Sequence, residues 1–302
     1  MRVVLFLTNP VSAFAANSTQ ISALAARLRD HSLHAVFNEA DFLRELPGAE
    51  AVVVWRFLPE WYESAPRLRH VCTPAAGRER IAPDPSGRSV RHFGAFHGQI
   101  MAESLLAMML FMNRRLGRAT RAQLEREWAP LAYEGLTPLR GQTALLVGYG
   151  AIGKHAARLL AAVGVHVHGL KRDKARGTEG AERVFAVDEL TEAVALADHV
   201  ACLLPSDTGS DHLLDERAFE KMKRGAFVYN LGRGNAIDVA ALERALLAGQ
   251  VGGAFLDVVP QEPLPADSTL WTAKNLYLTP HASAIRSDYL DLYFAELGEL
   301  LA

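Results

Sequence analysis

Arg233, Glu262 and His281 each follow a short apolar run that reads as a buried strand: AFVYNLG (226–232), GGAFLDV (252–258) and NLYLTP (275–280). Open α/β sheets bind their ligands at the carboxyl ends of strands. An arginine can grip a carboxylate with two parallel hydrogen bonds and polarise a neighbouring carbonyl. A histidine is the natural proton donor near neutral pH, and an adjacent glutamate would orient its ring. Together the three groups suit a 2-oxo acid, which needs a cation for its carboxylate and an acid for its ketone. Asp257 stands at one of the same strand ends.

A reducing agent for that ketone is suggested by Gly148-Tyr149-Gly150-Ala151-Ile152-Gly153, a G-x-G-x-x-G between the apolar TALLV and the helical KHAARLLAAV. Glycines allow the tight turn, the approach of a pyrophosphate and close helix–strand packing. The free amides and dipole of the helix start then favour phosphate. The next strand, VHVHGL, ends about twenty residues on, where a dinucleotide fold commonly has an acid for the ribose 2′-hydroxyl. Here Lys171 and Arg172 stand instead. A carboxylate would repel a 2′-phosphate, whereas two cations can neutralise it and donate to it. The expected cofactor is therefore NADP, with NAD possible.

The elements that must position these groups fall into two blocks. RVVLFLT (2–8), a helical pattern around 17–30, HAVFN, AEAVVVWRF (49–57) and LRHVCT (68–73) form the first. The second begins near TALLVGYG (143–150) and continues through HVACLLP to NLYLTP, with a helix from about 238 to 248 capped by Asp238. Apolar strands alternating with helices predict parallel sheets covered on both faces. The fold class is thus α/β with two doubly wound domains, a Rossmann cofactor domain and a flavodoxin-like substrate domain. Between them HGQIMAESLLAMMLFMNRRL (97–116) is apolar around most of its circumference and reads as a buried helix, its methionines as packing. The final SDYLDLYFAELGELLA is amphipathic and could fold back on the first block. The expected division is 1–96 with 284–302 for the substrate domain and 97–283 for the dinucleotide-binding domain.

Composition narrows the partners. The 302 residues hold 32 basic and 34 acidic side chains, a net charge of −2 that gives no support to nucleic acid or an anionic membrane. No apolar run approaches the roughly 20 residues that span a bilayer. Cys72 and Cys202 lie inside apolar segments and read as buried free thiols of a cytoplasmic protein, and no metal site is expected.

The second half resembles the D-isomer-specific 2-hydroxyacid dehydrogenase family, from the glycine loop through LLPSDTGSDHLLDERAFEKMKRGAFVYNLGRGNAIDVAAL and GAFLDVVPQEPLP to LYLTPHAS. The joint spacing of Arg233, Glu262 and His281 carries most of the resemblance. It implies that Arg233 binds substrate, Glu262 supports His281, and His281 exchanges the proton. It also implies that Asp257 lies near the nicotinamide carboxamide, Leu204 and Pro205 pass the adenosine, and Leu231 and Gly232 lie beside the nicotinamide. TPAAGRE (73–79) resembles the family's substrate loop, in which the amides of Ala76 and Gly77 would meet the carboxylate.

Lys171 departs from the family's usual acid. The end of the chain at 302 argues against the multidomain 3-phosphoglycerate dehydrogenases, and Glu262 in place of Gln argues against formate dehydrogenases. The nearest branch is the NADPH-dependent glyoxylate and hydroxypyruvate reductases, which make a D-2-hydroxy acid. Alternatives are an NAD-dependent dehydrogenase of another substrate, or a nucleotide-sensing binding protein, since the same family includes transcriptional corepressors. A homodimer is expected, as in the family, through the apolar helix and EREWAPLAYEGL (125–136).

Overall fold

The computed structural model describes residues 1–173, 177–206 and 209–301, and the chain divides into two compact units. Residues 1–97 and 285–302 form the first, residues 98–284 the second.

In the first unit β1 (Arg2–Phe6), β2 (Ser32–Ala35), β3 (Ala51–Val54), β4 (His70–Thr73) and β5 (Val90–Phe93) form a parallel sheet in the order β2-β1-β3-β4-β5. That order is the flavodoxin-like one. The helices α1 (Ser18–Arg27) and α2 (Glu39–Glu45) begin at Asn17 and Asn38, whose side chains each accept from a first-turn amide. Val4, Val52, Val54 and Val71 pack with Phe42, Phe57 and Trp61 as the core beneath one face of the sheet.

The second unit opens with α3 (His97–Asn113) and α4 (Leu116–Leu124). Only a narrow stripe of α3 is exposed, at Gln99, Glu103, Ala107 and Leu110, which recur at helical spacing. Met108, Met109 and Met112 are buried in the core, as packing rather than as ligands. Then follow β6 (Thr143–Val147), α5 (Ala151–Ala162), β7 (His166–Leu170), β8 (Arg183–Phe185), α6 (Leu190–Leu196), β9 (His199–Cys202), α7 (Glu216–Lys221), β10 (Ala226–Asn230), α8 (Val239–Leu247), β11 (Val251–Leu256) and β12 (Leu276–Leu278). Their parallel sheet runs β12-β11-β10-β9-β6-β7-β8. Successive residues of β6 alternate between two cores: Leu145 and Val147 join one, Ala144 and Leu146 the other. That alternation needs helices on both faces, and the strand's apolar run supplies both at once. The closing α9 (Tyr289–Leu301) belongs to the first unit, where Gln20 Nε2 donates to Asp291 at 3.2 Å. Among the described residues no helix is long and apolar enough to cross a membrane.

One polar group in the second core has a consequence for stability. His199 is fully buried, with its ring stacked on Phe227 and Tyr229. Its Nε2 donates to Gln142 Oε1 at 2.6 Å, and its Nδ1 accepts from the Tyr229 hydroxyl at 2.9 Å. Both ring nitrogens are satisfied by the neutral form, and burial pushes the pKa down from 6.5 to about 4. The unfolded chain binds a proton at pH 6.5 that the folded chain refuses until about pH 4, so stability present above pH 6.5 is lost as pH falls through that window. At about 1.4 kcal/mol per pH unit the loss approaches about 3 kcal/mol. Urea midpoints between pH 7 and 4.5 should therefore fall more steeply for the native chain than for His199→Asn. Parallel curves would remove His199 from the acid limb.

Candidate active site

β6 ends at Val147, and Gly148 turns the chain with φ of 99°, a left-handed conformation that side chains rarely tolerate. α5 starts at once, and its N-cap Gly150 has no side chain to accept the first amides. Those N–H groups have no partner inside the helix, so they present a partial positive charge. A cleft of about 670 Å3 opens at this point. It lies between β6 and β9, where the strand order reverses and doubly wound sheets place their ligands. Gly148, Tyr149, Gly150 and Ala151 of the turn, Leu204 and Pro205 after β9, and Lys171, Arg172 and Asp173 after β7 all line it. Of the other residues expected at the cofactor, Ile152, Gly153, Leu231, Gly232 and Asp257 are not in the cleft lining. Gly153 instead packs α5 against the turn: a Cβ there would come 3.1 Å from the Gly148 carbonyl oxygen. Lys154 also lines the cleft. Helical spacing from Gly150 puts it on the same face, a signal the sequence reading passed over.

Lys171 and Arg172 follow β7 directly. Lys171 is half-buried, its Nζ donating to the Gly177 carbonyl at 2.6 Å and lying 6.0 Å from the centre of the Tyr149 ring. Arg172 is exposed at the mouth of the cleft.

The three residues proposed for chemistry follow β10, β11 and β12, which are adjacent and end in register, Asn230 beside Leu256 and Leu256 beside Leu278. A chain of contacts connects them to the cleft. A Cβ on Gly232 would come 2.5 Å from the Leu204 carbonyl oxygen, so the turn carrying Arg233 lies directly against the cleft wall. Gly234 is pressed against the backbone of Val259 and Pro260, so only glycine lets the Arg233 turn meet the Glu262 loop. Glu262 Oε1 accepts from the Val259 amide at 3.2 Å, and its Oε2 is 2.8 Å from His281 Nδ1. Glu262 thus accepts from Nδ1–H and leaves Nε2 as the exchanging nitrogen of the ring. Arg233 Nη1 donates to the Gly232 carbonyl at 2.8 Å.

Two residues shape these loops in ways the sequence did not show. Asn230, 1% exposed, closes the Arg233 turn: its Nδ2 donates to the Arg233 carbonyl and its Oδ1 accepts from the Gly232 amide. Asp257, 2% exposed, is the anchor of the His281 loop. Its Oδ1 accepts from Thr279 Oγ1 at 2.6 Å and the Ala282 amide at 2.7 Å, and its Oδ2 from the Ser283 amide at 3.0 Å. The anchor is needed because His281 has φ of 54°, a strained conformation for a non-glycine residue. Its amide donates to the carbonyls of Asp257 and Thr279 at 2.8 and 3.0 Å.

In the first unit the turn with Ala76 and Gly77 follows β4. Ala76 is exposed and Gly77 buried. Gly94 donates to the carbonyls of Thr73 and Ala75, and the Tyr289 hydroxyl, 2.9 Å from His97 Nε2, reaches the Pro74 carbonyl at 3.3 Å.

The uncapped helix start, the apolar Leu204 and Pro205 and the cations among the lining residues fit a dinucleotide. Residues 106–283 match the model of the D-isomer specific 2-hydroxyacid dehydrogenase NAD-binding domain. The chain is 31% identical over 251 residues to a D-3-phosphoglycerate dehydrogenase of Archaeoglobus fulgidus, covering 81% of this chain and 47% of that one. It thus spans about half the length of that relative. A glyoxylate reductase of Thermofilum pendens is 30% identical over 232 residues, 74% of this chain and 68% of its own. Among solved structures, the NADPH-dependent glyoxylate/hydroxypyruvate reductase of Sinorhizobium meliloti, in complex with NADP and sulfate, aligns with a TM-score of 0.79 at 26% identity, over 98% of this chain and 93% of that one. The match extends over the same strands, turns and loops that bring Arg233, Glu262 and His281 to one sheet edge, and the chain belongs to the D-isomer specific 2-hydroxyacid dehydrogenase family.

Proposed function

We propose that this protein reduces a small 2-oxo acid of the glyoxylate or hydroxypyruvate class to the D-2-hydroxy acid, using NADPH. The observation that carries the reading is the continuous run of contacts from cleft wall to Arg233 turn, Glu262 loop and His281. The bound nicotinamide supplies the hydride. The guanidinium of Arg233 holds the substrate carboxylate and polarises the ketone. His281 Nε2 delivers the proton to the carbonyl oxygen while Glu262 holds the ring in register. Asp257, Leu231 and Gly232 are assigned to the nicotinamide end, Ile152 and Gly153 to the pyrophosphate turn. Ala76 and Gly77 are proposed as substrate-binding amides on the resemblance alone. Loss of NADPH absorbance on adding glyoxylate, hydroxypyruvate or other 2-oxo acids tests the reading. Tight nucleotide binding without turnover on any of them would favour a nucleotide-sensing protein instead.

The preference for NADPH rests on Lys171 and Arg172 in the lining of the cleft. Each charge-assisted hydrogen bond to a phosphate contributes about 1.5–3 kcal/mol. Lys171→Asp with Arg172→Ala should therefore lower kcat/KM for NADPH about 100-fold or more while NADH use holds or improves. Retained selectivity in the double variant would place the phosphate elsewhere. A cytoplasmic setting belongs to the same proposal, since both cysteines, Cys72 and Cys202, are buried free thiols.

A homodimer is part of the same proposal. Trp128 is 95% exposed, Leu124 81% and Leu131 76%, all within or just beyond α4. So many large apolar side chains in one segment indicate a surface that a second copy covers. Light scattering should give twice the chain mass, and Trp128→Glu should shift it towards the monomer.

A further inference from the structure

We infer that Tyr149 is a positioning residue for cofactor selectivity: its hydroxyl holds the segment 177–179, to which Lys171 of the cleft lining is tied, so that the lysine stands ready for a 2′-phosphate. The inference rests on the NADPH reading above and deepens it.

Tyr149 is the second residue of the glycine loop, a place where the turn itself asks nothing of the side chain. Yet it is 2% exposed. Its ring lies against Gly169 in β7, where a Cβ would come 2.5 Å from Tyr149 Cγ. Its hydroxyl reaches past β7 to the Thr178 carbonyl at 3.2 Å and to the Glu179 carbonyl. Burial raises its pKa, so the phenol remains a donor at any physiological pH.

Two further side chains that line the cleft reach the same short segment from different elements. Lys171, at the end of β7, donates to the Gly177 carbonyl at 2.6 Å. Lys154, in the first turn of α5, pairs with the Glu179 carboxylate at 3.0 Å. The glycine loop, the sheet and the helix thus all converge on 177–179. An ammonium has three donors, so the bond to Gly177 fixes Lys171 and leaves two for an incoming oxyanion. A cation already held in place gives up less side-chain entropy on binding than a free one. Without the tyrosine hydroxyl the segment is released, and Lys171 loses its fixed partner. Adenosine and the 5′-phosphate are held by the turn and the helix start, so only recognition of the 2′-phosphate should weaken.

Calorimetric titration of the full chain with 2′,5′-ADP and with 5′-AMP separates the two effects. Tyr149→Phe removes the hydroxyl and keeps the ring. The ratio of the two affinities should fall about threefold to tenfold, the amount expected from one hydrogen bond, with 5′-AMP binding unchanged. Tyr149→Leu, which also removes the ring, should show at least the same fall. An unchanged ratio in both variants, or equal weakening of the two nucleotides, overturns the role of Tyr149. A native chain that does not prefer 2′,5′-ADP overturns the NADPH reading itself, a separate result read before any variant is made.

Discussion

His281→Ala should lower kcat by about 10²–10⁴ while the dissociation constant for NADPH stays within about twofold, because general acid catalysis contributes that much to rate and little to binding. The geometry supports this separation. His281 is on the loop after β12, paired with Glu262 at 2.8 Å, and neither residue lines the cleft that accepts the dinucleotide. Glu262→Gln should show a smaller loss of the same kind. A glutamine oxygen can still accept from Nδ1, so the ring keeps its orientation while the hydrogen bond that holds it is no longer charge-assisted. Stopped-flow turnover with a 2-oxo acid and fluorescence titration of NADPH measure the two quantities independently. A parallel loss of both would show that the imidazole holds the cofactor, and the proton would have to come from another group.

Much of this site could be read before any fold was known. Apolar runs marked the central strands because parallel strands are buried on both faces and leave little room for polar residues. The glycine loop and the strand-end residues followed from that framework. The elements that escaped lie where this constraint is weakest. β5 (VRHF) and β8 (RVF) are edge strands of four and three residues, and α2, α4 and α7 are short helices of seven, nine and six residues.

The supports of the site were hidden for a different reason. Asn230 and Tyr149 look like ordinary strand-end and turn residues, and their roles arise from partners that are near only in space. Tyr149 bonds to carbonyls 29 and 30 residues further on. The left-handed backbone of His281 is likewise hard to read from the residue type, since histidine adopts that conformation more often than most side chains but still only in a small minority of cases.

Asp257 gives the second large effect, and one that separates two roles. Its carboxylate oxygens take three donors from residues 279–283 at 2.6–3.0 Å in a site that is 2% exposed. Asp257→Ala would leave the buried amide of Ser283 and the part-buried Thr279 hydroxyl and Ala282 amide without their acceptor, at about 1–3 kcal/mol for a fully buried group and less for the other two. The protein should lose about 3–5 kcal/mol of stability in urea unfolding, and kcat should fall about 100-fold or more as the His281 loop relaxes from its strained turn. Asp257→Asn should be intermediate, because one oxygen remains to accept while the new amide group faces a donor. If the carboxylate serves chiefly the nicotinamide carboxamide, as the resemblance implies, the outcome differs. Cofactor affinity would then drop in both variants with the urea midpoint nearly unchanged.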